Sequence, residues 1–90
     1  MKKQVHVLYT GQVQGIGFRY TAEAVAQQLK VKGWVKNLRN GQVELVEDGE
    51  EKTLRAFLDK INEYFSRYIQ GVDIDWLAST GEFEGFGIRV

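Results

Sequence analysis

The run Gly11-Gln12-Val13-Gln14-Gly15-Ile16-Gly17-Phe18-Arg19 combines three glycines with an arginine at the point where an extended segment gives way to a helical one. Glycines let successive backbone N–H groups turn inward and form a concave seat for an anion, and a guanidinium at the first helical turn adds a two-pronged grip on the same guest. A phosphoryl group suits such a seat. No Lys-Ser or Lys-Thr pair follows the second glycine at P-loop spacing, so a magnesium nucleotide is not implied. The expected contacts are Gln14, Gly15, Ile16, Gly17, Phe18 and Arg19, with Arg19 as the principal anion ligand. A cation at the start of a helix opposes the helix dipole, which favours a functional over a merely solvated arginine. Asn37 is the second candidate. Its amide can accept from a water and donate elsewhere, so it could aim a nucleophile, but it also stands just before Asn40-Gly41, where turn-preferring residues are ordinary. The residues alone leave both readings of Asn37 open.

Other groups fit structural roles better. His6 is the only histidine and falls inside a strand pattern. Glu47, Asp48, Glu50 and Glu51 could hold Mg²⁺ in principle, yet a capping box from Asp48 to Glu51 and compensation of the helix dipole account for them without a metal. Asp73 and Asp75 share one face of a strand and read as solvent-facing. Trp34, Phe57, Phe65 and Trp76 are expected in the core rather than as platforms for stacked bases.

The elements that must position these groups follow from periodicity. Gln4–Thr10 is β-rich, and Phe18, Ala22, Val25, Ala26 and Leu29 recur at helical spacing up to a stop at Gly33. Gly33–Leu38 and Gln42–Glu47 form two strands around the Asn40-Gly41 turn. Leu54, Phe57, Leu58, Ile61, Phe65 and Tyr68 mark one face of a second helix ending between Asn62 and Ile69. Gly71–Thr80 alternates loosely, and Phe86–Val90 reads as a short last strand. The order β-α-β-β-α-β with a terminal strand appended gives an α+β, ferredoxin-like split βαβ sandwich, an antiparallel sheet carrying both helices on one face.

Composition narrows the rest. Ninety residues are expected to form a single domain, 1–90, burying roughly 60% of the unfolded surface. Twelve basic and twelve acidic residues cancel and are scattered, which leaves no field to attract a polyanion, so nucleic acid is not an expected partner. The absence of cysteine rules out disulfides, thiolate chemistry and cysteine-bound zinc. Lys2 and Lys3 resemble the start of an export signal, but His6, Thr10 and Gly11 break the apolar stretch. A cytoplasmic monomer without membrane partner, metal or cofactor is expected.

The motifs resemble those of the acylphosphatase family. Gly11 through Arg19 is similar to its first signature, and Gly33-Trp34-Val35-Lys36-Asn37 with Gly41, Val43 and Gly49 to its second. The similarity runs over nearly the whole chain, to Gly85-Phe86-Gly87-Ile88. It implies a small-molecule acyl phosphate as substrate, cleaved to a carboxylate and inorganic phosphate. In that family the arginine matching Arg19 binds the phosphoryl group with the loop amides, and the asparagine matching Asn37 orients the attacking water. The chemistry agrees with the residue set, because a carboxylate leaves without strong protonation and phosphoryl transfer rests on positioning and charge stabilisation. The competing readings are a non-catalytic phosphate-binding module and an RNA-binding module. For RNA, Gly85–Val90 echoes an aromatic contact motif, but Glu84 precedes it and the later aromatics are missing.

Overall fold

The computed structural model describes residues 1–90. Its elements are β1 (Lys2–Gly11), α1 (Phe18–Leu29), β2 (Lys32–Asn37), β3 (Val43–Glu50), α2 (Glu51–Phe65), β4 (Ile69–Ala78) and β5 (Phe86–Arg89). The strands make one sheet in the order β4-β1-β3-β2-β5. β3 pairs antiparallel with both β1 and β2, so β1 and β2 run parallel with β3 inserted between them. β4 likewise runs parallel to β3 across β1. These are two interleaved split βαβ units, as the element order implies. One detail differs from the all-antiparallel expectation: β5 joins the edge beside β2 in parallel register, with Trp34 opposite Gly87 and Val35 opposite Ile88.

Period-two alternation decides which face of the sheet is covered. Val5, Val7 and Tyr9 of β1, Val43 and Leu45 of β3, and Val35 of β2 all point to one side and are fully buried. The stripes of both helices close over them, Phe18, Ala22, Val25 and Ala26 from α1 and Leu54, Phe57, Leu58, Ile61 and Phe65 from α2. The other face is mixed, with His6, Glu44, Asp73 and Asp75 among Leu8, Val46 and Trp34. There His6 Nε2 lies 2.7 Å from Glu44, a structural pairing, and Asp73 and Asp75 are exposed.

Four local expectations need correction. The stop of α1 comes from Lys30, not Gly33: Lys30 adopts a left-handed conformation (φ 60°), and its N–H reaches the carbonyls of Ala26 and Gln27. Gly33 instead lies within β2 at φ 145°, where a side chain would strike the carbonyl of Val46. The capping box is absent. β3 runs on to Glu50, which is the N-cap of α2 without a side-chain cap bond. The Asp48 carboxylate is buried and accepts from Ser79, the Thr80 N–H (3.0 Å) and Gln4 (3.4 Å). Glu47 is a core residue, because Val43, Leu45 and Glu47 share the inward phase of β3. Trp34 and Trp76 are only partly buried, each covered by a guanidinium 4.6 Å from its ring, Arg89 and Arg55 respectively. Tyr68 lies beyond α2 and is 40% exposed, whereas Phe57 and Phe65 are buried as expected.

Candidate active site

The loop between β1 and α1 is shaped by its glycines. Gly15 (φ 79°) and Gly17 (φ 81°) adopt left-handed backbone on either side of Ile16, an alternation that gathers successive N–H groups on one side of the chain. No neighbouring atom lies where a Cβ at either position would stand, so it is conformation and not space that calls for glycine. Gly17 is the N-cap of α1, and the first bond of the helix is Thr21 N–H to the Gly17 carbonyl at 3.0 Å. The N–H groups of Gly15, Ile16, Gly17, Phe18, Arg19 and Tyr20 have no acceptor within the protein. No acidic residue occupies the first turn of α1, so the positive end of the helix dipole is uncompensated.

Two anchors hold this loop. Phe18 is 2% exposed and sits against Tyr9 (ring centroids 4.9 Å apart) and stacked on Phe65 (4.7 Å), which fixes the start of α1 in the core. Gln14 ties the loop to the β2–β3 turn: its side-chain nitrogen donates to the carbonyls of Leu38 (2.7 Å) and Gln42 (2.9 Å). That turn is closed by Leu38 N–H to the Gln42 carbonyl at 2.8 Å, with Gly41 at φ 93°.

Between loop and turn lies a cavity of about 250 Å³ lined by Val13, Gly15, Gly17, Phe18, Arg19, Tyr20 and Asn37. Arg19 and Asn37, which come from different elements, therefore face one space. The Arg19 guanidinium makes no ion pair and no hydrogen bond, and it covers no aromatic ring. Asn37 closes β2 opposite Val43, on the helix-facing side of the sheet, and its side-chain oxygen is buried without a partner. A free cation, a row of free N–H donors and an orphaned amide oxygen thus converge on one hollow, the complement an oxyanion and a water would fill. Of the residues expected at the site, Gly15, Gly17, Phe18, Arg19 and Asn37 line the cavity. Gln14 and Ile16 do not: the Gln14 side chain serves the turn, and Ile16 packs against the core. A hollow of about 330 Å³ at the opposite end includes Lys2, Lys30 and Lys32, with Asp48 and Glu50 in the same wall offsetting two of the three charges.

A family model described as acylphosphatase matches residues 5–88. The chain belongs to the acylphosphatase family. A curated acylphosphatase of Methylococcus capsulatus is 40% identical over 88 residues, which cover 96% of this chain and 95% of that one. An acylphosphatase of Salinibacter ruber is 36% identical over 89 residues, 98% and 94% of the two chains. The crystal structure of acylphosphatase from Bacillus subtilis superposes with a TM-score of 0.90 at 32% identity, over 100% of each chain. The acylphosphatase resemblance read from the two motifs is thereby confirmed, and with it the fold. No helix is long and apolar enough to cross a membrane.

Gln14, expected among the phosphate contacts, has its side chain committed to the β2–β3 turn. Nothing in a glycine-rich loop signals that one of its side chains reaches the carbonyls of a turn 24 and 28 residues further on. Tyr20 also lines the cavity, and the signal for it in the sequence is its place directly after Arg19 in the first turn of α1.

Proposed function

We propose that this chain hydrolyses the carboxyl–phosphate anhydride of acyl phosphates by direct attack of water on phosphorus, with Arg19 and the loop amides holding the phosphoryl group and Asn37 orienting the water. Membership of the acylphosphatase family supports the substrate class. The observation that carries the mechanism is the buried, unpartnered side-chain oxygen of Asn37 in the cavity that also takes the uncommitted Arg19 guanidinium.

The roles follow from what each group can donate or accept. The phosphoryl oxygens take hydrogen bonds from the N–H groups of Gly15 to Arg19 and from the guanidinium fork, beside the positive end of α1. These donors stand in place before substrate arrives, so charge developing on the oxygens meets little reorganisation. The Asn37 oxygen accepts from the water and points its lone pair at phosphorus. As the new P–O bond forms, the bond from phosphorus to the acyl oxygen breaks. The acyl group leaves as a carboxylate with that electron pair, and a phosphoryl oxygen takes the water's proton. No side chain is required as a strong acid, because a carboxylate is a stable leaving group.

Hydrolysis of acetyl phosphate and benzoyl phosphate in ¹⁸O-water tests the reading. The label should enter inorganic phosphate and be absent from the carboxylate. Label in the carboxylate would place the attack at carbonyl carbon and remove the role given to Asn37.

A further inference from the structure

A shallow groove of about 600 Å³ runs over the outer surface between α1 and α2, lined by Tyr20, Thr21, Ala24, Val25, Gln28 and Tyr64. We infer that this groove receives the acyl end of the substrate, with Tyr20 at its junction with the phosphoryl cavity and Tyr64 as its outer wall, and that it favours acyl phosphates with an aromatic or extended apolar acyl group. This inference rests on the hydrolytic reading above and adds the substrate class to it.

Continuity is the first argument. Tyr20 lines both the phosphoryl cavity and the groove, and it is the only residue the two share. Direction is the second. Asn37 stands at the end of β2, on the sheet side of the cavity, whereas Tyr20 stands on α1. Attack from the Asn37 side expels the carboxylate on the side away from Asn37, because the entering and leaving oxygens lie roughly in line, and Tyr20 is the cavity residue that continues onto the groove.

The groove has the chemistry for that occupant. None of its residues is Asp, Glu, Lys or Arg, although such residues make up 27% of the chain. Tyr20 and Tyr64 are 70% and 62% exposed, so two aromatic faces stand open to water. Ala24 lies between Tyr20 and Gln28 on the same helical face, and its short side chain leaves the depression. From Tyr20 to Gln28 the helix rises roughly 12 Å, room for a benzoyl group or a medium-length alkanoyl chain and far more than an acetyl group uses.

The test compares kcat/KM for octanoyl phosphate and acetyl phosphate in the unaltered protein, Tyr64→Ala and Ala24→Glu. Differences in intrinsic leaving-group reactivity cancel when the octanoyl-to-acetyl ratio of a variant is divided by that of the unaltered protein. Loss of an aromatic wall should lower that ratio about 2- to 10-fold in Tyr64→Ala, mainly through a higher KM for octanoyl phosphate. A carboxylate in the depression should lower it at least as far in Ala24→Glu. The inhibition constant of inorganic phosphate reports the phosphoryl cavity separately and should stay the same in both variants. An unchanged ratio in both variants, with hydrolysis intact, would overturn the acyl groove and leave the hydrolytic reading standing. Failure of the unaltered protein to hydrolyse either substrate would overturn both.

Discussion

Asn37 and Glu47 are both polar, both face the helices from the β2–β3 hairpin, and both carry buried oxygens without a hydrogen-bond partner. Their surroundings differ. The oxygen of Asn37 lines a hollow that also holds a free guanidinium and a row of free amides, whereas Glu47 is 0% exposed within the apolar core of the sheet. An orphaned oxygen that opens on waiting donors is half of an interaction that a substrate or water completes. A carboxyl closed into the core has no such opening, and burial there favours its protonated form. Burial pushes the Glu47 carboxyl well above its usual range, and burial together with the neighbouring Glu47 raises the Tyr9 hydroxyl. An unsatisfied atom therefore indicates function only through what shares its space.

Arg19→Lys gives the largest expected effect on this contrast. A lysine keeps the charge but not the parallel pair of hydrogen bonds, and turnover of benzoyl phosphate should fall about 10³-fold or more, with the unfolding midpoint in urea little changed. Near-normal turnover would mean that charge alone, without the fork, accounts for the cavity. Asn37→Ala comes next. Steady-state kinetics should show kcat reduced about 10²-fold with a much smaller change in KM, because the lost contact belongs to the nucleophile. A change confined to KM would move Asn37 to the substrate and weaken its contrast with Glu47.

The smallest effect, and the one that addresses the other half of the contrast, is on stability. Burial holds the Glu47 carboxyl higher in the folded chain than in the unfolded chain, where it ionises above about pH 4.3. The folded state then binds the extra proton, so this group lowers stability by about 1.4 kcal/mol for each pH unit above that value, until the folded carboxyl itself ionises. Asp48, one residue on, works in the opposite sense: burial alone would raise its carboxyl, but the hydrogen bonds from Ser79, Thr80, Gln4 and Gly81 outweigh burial and hold it low. Its stabilisation is present above its ordinary range and is lost in acid. Urea titrations at pH 5 and pH 7 should show the unaltered chain losing stability with rising pH and Glu47→Gln losing less. Equal slopes would show that Glu47 is ionised in the folded state.

The two acids also mark what could be read from the sequence and what could not. The sheet and both helices were legible because alternation and helical spacing act locally, and so were Arg19 and the glycines, whose types already state a requirement. Asn37 remained open between a turn residue and a water ligand, since the choice depends on whether its oxygen meets a cavity formed by a distant loop. Glu47 and Asp48 read as a helix start because carboxylates before an apolar stripe usually are one. The phase of Val43 and Leu45 carries Glu47 inward, a signal that lies in the strand and not in the helix that follows. The partners of Asp48 come from the segment after β4 and from β1, at separations no local pattern encodes.

Gln14 gives the loop a dependence on remote geometry. Its amide spans from the glycine-rich loop to two carbonyls of the β2–β3 turn, which follows directly on Asn37. The glycine-rich loop and Asn37 are thereby gauged against a single reference, so a distortion of the hairpin shifts them together instead of pulling them out of alignment. Loosening that brace would leave every reacting group present and only their mutual distances at fault.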